Sequence, residues 1–213
     1  SRREEDVATE MFVINSHDYV MFFTSTGRVY RLKCYEIPEG SRTSKGMNIA
    51  NLLPITAEEK VTSMIRVPEF DEEKYLVMVT RNGIIKRTEL KAYDTTRKGG
   101  VIAIDLDEGD ELAWVLLTDG SDQLVLATKK GMAIRFSEGD VRAVGRTARG
   151  VKALTLKEGD EVAGMSAAAC CSPSLKRATG AFRKLRITAC NRAAARVLST
   201  TMSGGTAMSP LLR

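Results

Sequence analysis

Histidine occurs once among these 213 residues and cysteine four times, and only Cys34 of those cysteines lies before residue 166. These scarcities exclude whole classes of chemistry for residues 1–165. A zinc centre needs several His or Cys ligands at set spacing. A disulfide scaffold needs paired thiols, and a lone cysteine fits a reducing cytoplasm. No run of 18 apolar residues is present, so no segment reads as a membrane span, and no secretory signal opens the chain. The Gly-x-x-x-x-Gly-Lys-Ser/Thr loop that cradles nucleotide phosphates is missing too. His17 with Asp18 supplies two members of a hydrolytic triad, but the pair sits between Asn15 and Tyr19 in a stretch that reads as a polar turn between strands. The Glu-Gly-Asp-Glu runs at Gly109 and Gly159 lack the alternating oxygen ligands of a calcium loop. Trp114, Met47, Met64 and Met78 read as core filler. Neither a catalytic residue nor a metal ligand is expected in this chain, and no cofactor.

Acidic residues are missing from one end. Residues 1–165 hold 24 Lys and Arg against 27 Asp and Glu, a net of −3, whereas residues 166–213 hold eight basic residues and no acid. Ordinary usage would place roughly six acids in that stretch. The whole-chain charge of +5 therefore says little about the patterned part. Cys170, Cys171 and Cys190 fall in the acid-free stretch among alanine runs. We read residues 166–213 as the product of a frameshift: with the degenerate third base of each codon left free, a shifted reading frame can turn Ala168 onward into an apolar strand, a Gly turn and a Lys-Gly loop. This tail is expected to be poorly ordered. Residues 1–10 read as the end of a linker, and the chain as a fragment of something longer.

The patterned part repeats. Phe22 to Leu32, Val77 to Arg87 and Val125 to Arg135 are each a strand, a polar pair, a glycine (Gly27, Gly83, Gly131) and a basic outgoing strand. Asn82-Gly83 is a strong hairpin signal, and alternation along the first outgoing strand puts Val29 inward and Tyr30 outward. Sixteen to 19 residues after each glycine comes a Lys-Gly or Arg-Gly loop: Lys45-Gly46, Lys98-Gly99 and Arg149-Gly150. Gly46, Gly99 and Gly150 are placed where the chain bends before a further short strand. Asp107 to Leu112 and Lys157 to Val162 are matching acidic turns leading from one repeat to the next. A period near 50 with about four strands per unit indicates propeller-type blades. The fold class is all-β, a β-pinwheel or propeller-like repeat of four-stranded blades, incomplete at about three intact blades: 11–60, 61–111 and 112–165.

Charge follows the repeat. Of the 24 basic residues in the patterned part, 18 fall in the hairpins, the Lys/Arg-Gly loops or the segment between: Arg28, Arg31, Lys33, Arg42, Lys45, Arg81, Lys86, Arg87, Lys91, Arg97, Lys98, Lys129, Lys130, Arg135, Arg142, Arg146, Arg149 and Lys152. Equivalent positions on successive blades would form a positive belt, which attracts a polyanion through counterion release without reading sequence. Solvated strand edges protected by Lys give the same pattern. Charge alone leaves both readings open.

Further residues narrow the choice. Phe12 to Asp18, Gly27 to Tyr30, Tyr35 to Glu39, Arg42 to Gly46 and Asn51 to Pro54 resemble, almost position by position, the second blade of the C-terminal domain of DNA gyrase A subunits. Arg81 to Thr88 resembles the third blade. Phe136 to Glu138, Val141 to Arg146 and Arg149 to Val151 resemble the fourth. The resemblance implies a six-bladed β-pinwheel whose blades exchange strands and around whose rim DNA wraps, and it carries the 18 cations over as DNA-contacting. It implies a parent type IIA topoisomerase that uses ATP and Mg2+ to introduce negative supercoils. Its partners would be the gyrase B subunit, a second copy of the gyrase A subunit, and double-stranded DNA as substrate. The implied location is cytoplasmic and nucleoid-associated, without a membrane. The family's Gln-Arg-Arg-Gly-Gly-Lys-Gly box belongs to the first blade and would lie before Ser1; Arg97 to Gly100 only echoes it. The related domain in the A subunit of topoisomerase IV, which lacks that box, and a propeller-type protein-interaction module remain as alternatives.

Overall fold

The computed structural model describes residues 11, 13–40, 46–56, 58–95, 97 and 99–168. The expected linker and all of the expected tail from residue 169 lie outside the described residues.

Each glycine-centred repeat forms its hairpin. β1 (Tyr19–Thr24) pairs with β2 (Arg28–Lys33), β4 (Tyr75–Thr80) with β5 (Ile84–Glu89), and β8 (Gln123–Thr128) with β9 (Ala133–Ser137), all antiparallel. The turn glycines Gly27, Gly83 and Gly131 sit at φ 75°, 82° and 84°. A device the hairpin reading passed over braces these turns. A buried threonine three residues before each glycine accepts an amide hydrogen bond from four residues on: Arg28 to Thr24 (3.3 Å), Ile84 to Thr80 (3.1 Å) and Met132 to Thr128 (3.2 Å).

The remaining strands are β3 (Val61–Val67), β6 (Val101–Ile102), β7 (Leu112–Thr118), β10 (Val151–Lys152) and β11 (Val162–Ala168). They complete three sheets in the orders β3-β1-β2-β6, β7-β4-β5-β10 and β11-β8-β9. The sheets cross the sequence repeats. β3, expected in the second unit, pairs along the whole of β1. β6 of the second unit closes the first sheet, and β10 of the third unit closes the second. Strand exchange between neighbouring blades is therefore present twice. β11 runs past residue 165, with Ser166 opposite Val125 and Ala167 opposite Leu124; small side chains suffice there because pairing is made by the backbone.

β7 packs against β3 on one side and β11 on the other. These three strands form the inner side of the body, and β2 with β6, β5 with β10, and β9 form its outer edge. The middle sheet is buried on both faces. Leu76 and Met78 of β4 join Met21, Phe23, Val67 and Leu112 in one core, whereas Val77 and Val79 face the other way onto Leu124, Leu126, Val162 and Met165. This is why β4 reads Tyr-Leu-Val-Met-Val-Thr with no polar alternation.

The first sheet departs from the alternation expected of it. Val29 and Tyr30 are both buried. The outer face of that sheet is covered by the segment around Leu53, and Tyr30 packs there with Val20 and Phe22. Met47, expected in the core, is 57% exposed. Met78 is fully buried, and Met64 and Trp114 are half-buried against core residues. His17 occupies an exposed turn, and Asp18 pairs with Arg66 at 2.7 Å.

Candidate nucleic-acid interface

Two bends build the outer edge. The expected bend at Gly99 falls one residue later, on Gly100 (φ 75°), where an added Cβ would lie 2.5 Å from the Tyr30 ring. Gly150 (φ 101°) is its counterpart, and a Cβ there would lie 2.6 Å from the Ile85 carbonyl oxygen. Each bend lays its two-residue strand along the outgoing strand of the preceding repeat, pairing Val101 with Val29 and Val151 with Ile85. Gly46 has no such left-handed backbone.

The acidic turns do more than connect. Asp110 Oδ1 accepts the amides of Asn82 (3.1 Å) and Glu111 (2.8 Å), and Asp160 Oδ1 those of Lys130 (3.0 Å) and Glu161 (2.9 Å). Each turn thus grips the hairpin of its own repeat. In the first repeat Glu59 takes this part, accepting from the Thr26 hydroxyl (2.7 Å), the Tyr30 hydroxyl (3.1 Å) and the Thr56 amide (3.1 Å). Burial pushes the Glu59 pKa up, but the hydrogen bonds outweigh it and leave the carboxyl below its usual range. The next strand then donates back to the hairpin before: Leu112 to the Ser25 carbonyl and Val162 to the Arg81 carbonyl, each at 3.0 Å.

Of the 18 cations singled out in the sequence, Arg42, Lys45 and Lys98 lie outside the described residues. The other 15 divide by environment. Arg81 bridges Glu111 (3.0 Å) and Glu161 (3.2 Å), Lys129 also pairs with Glu161, and Lys130 donates to the Glu158 carbonyl. These three are drawn onto the acidic turns. Arg31 and Arg87, equivalent residues of β2 and β5, are each 14% exposed. Arg31 stacks on Tyr19 and pairs with Asp94 at 2.7 Å; Arg87 stacks on Tyr75 and lies 3.5 Å from the buried Glu138. Lys33 also lies over Tyr19, Lys91 pairs with Glu72, and Arg149 pairs with Asp107. Asp119 and Asp122 bring carboxylate oxygens near those of Glu138, but Glu138 is already held by the Thr118 hydroxyl (3.2 Å) and the Asp122 amide (3.3 Å).

Lys86 needs correction. It is fully buried and in this conformation cannot touch a polyanion. Its ammonium donates to the carbonyls of Ala103 (2.7 Å) and Arg146. Burial lowers its pKa from 10.5 to about 8, with Arg146 adding to the fall and Asp105 opposing it. The unfolded chain therefore binds this proton more tightly, and stability rises with pH across the window from 8 to 10.5. Urea denaturation of the parent chain and Lys86→Met is expected to show their difference moving in the parent's favour by up to about 3 kcal/mol over that window. A pH-independent difference would mean an ordinary lysine.

The cations that remain are exposed or partly so and make no ion pair among the described residues. They lie on the outer edge of every sheet. Arg28 of β2, on the first sheet, donates to the Gly99 carbonyl at 3.3 Å, and Arg97 lies two residues before that glycine. Arg142, Arg146 and Lys152 line the second, where the Val144 amide donates to the Arg87 carbonyl (2.9 Å) and Lys152 pairs with Ile84. Arg135 stands on β9 of the third. Its equivalents Arg31 and Arg87 are sequestered by tyrosines, whereas Gln123 stands at the tyrosine position of this repeat and Arg135 is left exposed. The signal for that difference was in the sequence, at the first position of β1, β4 and β8.

Three sheets linked by strand exchange agree with the comparisons to known proteins. The model of the family "DNA gyrase C-terminal domain, beta-propeller" matches residues 18–68, 74–119 and 122–169. The chain belongs to this family. The matched segments keep β3 with the first repeat, as the sheet does. The DNA gyrase A subunit of Haloquadratum walsbyi is 46% identical over 171 residues, 78% of this chain and 20% of that protein. The protein of the same name from Clostridium acetobutylicum is 49% identical over 150 residues, 70% of this chain and 18% of its own length. The chain thus spans about a fifth of these relatives. Among solved structures, a DNA topoisomerase IV C-terminal domain shares 34% identity at a TM-score of 0.73, covering 79% of this chain and 53% of that one. A DNA gyrase A C-terminal domain shares 28% at 0.60, covering 72% and 49%.

Proposed function

We propose that this chain is the DNA-binding and DNA-wrapping part of the A subunit of a DNA gyrase, a type IIA topoisomerase that introduces negative supercoils. The observation that carries the reading is the segregation of charge. Cations without carboxylate partners among the described residues line the outer edge of three successive sheets, while the acidic turns hold Arg81, Lys129 and Arg149 by ion pairs. A duplex following the rim would meet cations from each sheet in turn, bending through backbone contacts rather than base readout. The strand breakage and ATP hydrolysis of such an enzyme, with its Mg2+, are assigned to other parts of the complex: the rest of the same polypeptide, a second copy of it, and the gyrase B subunit. Location in the cytoplasm, with the nucleoid, follows from the substrate. The topoisomerase IV reading is favoured by the TM-score of 0.73, the gyrase reading by the named relatives at 46–49% identity.

Binding of this chain to duplexes of unrelated sequence, measured by fluorescence anisotropy over a series of salt concentrations, is expected to give one common affinity. The slope of log K against log salt should be about −4 or steeper, corresponding to roughly four or more neutralised phosphates. A protein-interaction module would show neither binding nor slope.

A further inference from the structure

Lys86 belongs to none of the contacts just proposed, yet it ties the second repeat to the third, through a partner that is itself bonded to the first. A wholly buried ammonium is costly unless its surroundings accept its protons, so its two carbonyl partners are informative. Ala103 follows β6, and its own amide donates to the Gly27 carbonyl of the first repeat at 2.8 Å. The same Ala103 carbonyl also accepts the Tyr93 hydroxyl at 3.0 Å. Arg146 lies in the rim loop of the third repeat, between Val141 and the Gly150 bend. The equivalent side chains of the other hairpins make no such link: Tyr30 turns to Glu59, and Ile134 has no polar group.

We propose that Lys86 is a positioning residue for DNA binding. By holding the Arg146 carbonyl it fixes the loop from 142 to 149 against β5, so that Arg142 and Arg146, which make no ion pair among the described residues, are presented at the rim together with Arg149, which pairs with Asp107. The inference rests on the DNA-binding reading above. It differs from a general role in stability because the loop's other ties to the second repeat meet it elsewhere than at Arg146: the Val144 amide to the Arg87 carbonyl (2.9 Å), a bridge between Ala143 and Arg87, the Asp105 amide to the Ala148 carbonyl (3.3 Å), the Arg149–Asp107 ion pair and the Gly150 bend on Ile85. Ordering three flexible arginines before DNA arrives removes part of the entropy that binding would otherwise cost.

The test compares duplex binding by the full chain, its Lys86→Met variant, the Arg142→Ala/Arg146→Ala/Arg149→Ala variant and the four-fold combination, over a salt series. Met keeps the apolar stem and removes the donors. Lys86→Met is expected to weaken binding about 10- to 100-fold and to flatten the salt slope by about two. It should add nothing in the background that already lacks the three arginines. Lys86→Gln, which retains two N–H donors, should recover part of the loss. An unchanged slope in Lys86→Met, or a full additive loss in the triple background, would overturn the proposal. Should the triple variant bind as tightly as the parent, the rim reading of this loop fails first and separately. The unsubstituted chain offers a check that no folding defect can blur: the Val144 amide should exchange with solvent at least about 100-fold more slowly than an open loop, and exchange at the open-loop rate would equally overturn it.

Discussion

Replacing Arg135, Arg142, Arg146 and Lys152 together by alanine should weaken duplex binding by about 100- to 1,000-fold at about 0.15 M salt and flatten the salt slope by roughly three to four. The expectation follows from how these side chains are held. Each lies on the outer edge of a sheet, and none makes an ion pair among the described residues. A phosphate therefore meets a cation that has no carboxylate to give up, and the counterions released are a net gain. Arg31 and Arg87 provide the contrast. Both lie in the 18-residue belt and both sit four residues after a turn glycine, as Arg135 does, but each is stacked on a tyrosine and placed near an acid. Arg31→Ala/Arg87→Ala should change DNA affinity by less than about threefold, while lowering stability by about 1–2 kcal/mol through lost stacking. Titrations of both variants alongside chemical denaturation separate the two effects. Equal losses of affinity would show that DNA draws the stacked arginines out, and the division of the belt would be wrong.

Gly150→Ala is expected to destabilise the chain by about 3–4 kcal/mol, with Gly100→Ala close behind. Two costs add. A φ of 101° is strained for any residue with a Cβ, at about 1–3 kcal/mol. The new methyl would also meet the Ile85 carbonyl at 2.6 Å, and backbone cannot step aside without breaking the pairing of Val151 with Ile85. Against a total stability of about 5–15 kcal/mol this is a large fraction. Gly109→Ala and Gly99→Ala are the controls. Gly109 has φ 78° but nothing within 4 Å, so only about 1 kcal/mol of strain is expected. Gly99 has neither constraint and should tolerate alanine. Urea midpoints of the four variants would locate the bend directly. A Gly99→Ala loss larger than that of Gly100→Ala would contradict the geometry.

Local interactions made much of this fold readable in advance. The hairpins depend on residues close in sequence, a polar pair and a glycine between apolar strands, so Gly27, Gly83 and Gly131 could be placed without coordinates. The recurrence of these hairpins with the same loops and acidic turns was enough for the all-β repeat. Other features needed the assembled chain, because they depend on residues far apart in sequence. Val101 closes the sheet of Val29 because inner strands stack and bring the second repeat's bend against the first repeat's outgoing strand; no pattern within either repeat encodes that choice. Tyr30 is buried because residues around Leu53 cover a face that alternation alone would leave wet. Lys86 and Arg135 look alike as basic residues on outgoing strands, and only burial and partners distinguish them. A charge on an alternating strand has a face but no environment until its neighbours arrive, so composition could indicate how much positive charge the repeats carry, and packing decided which of it faces outward.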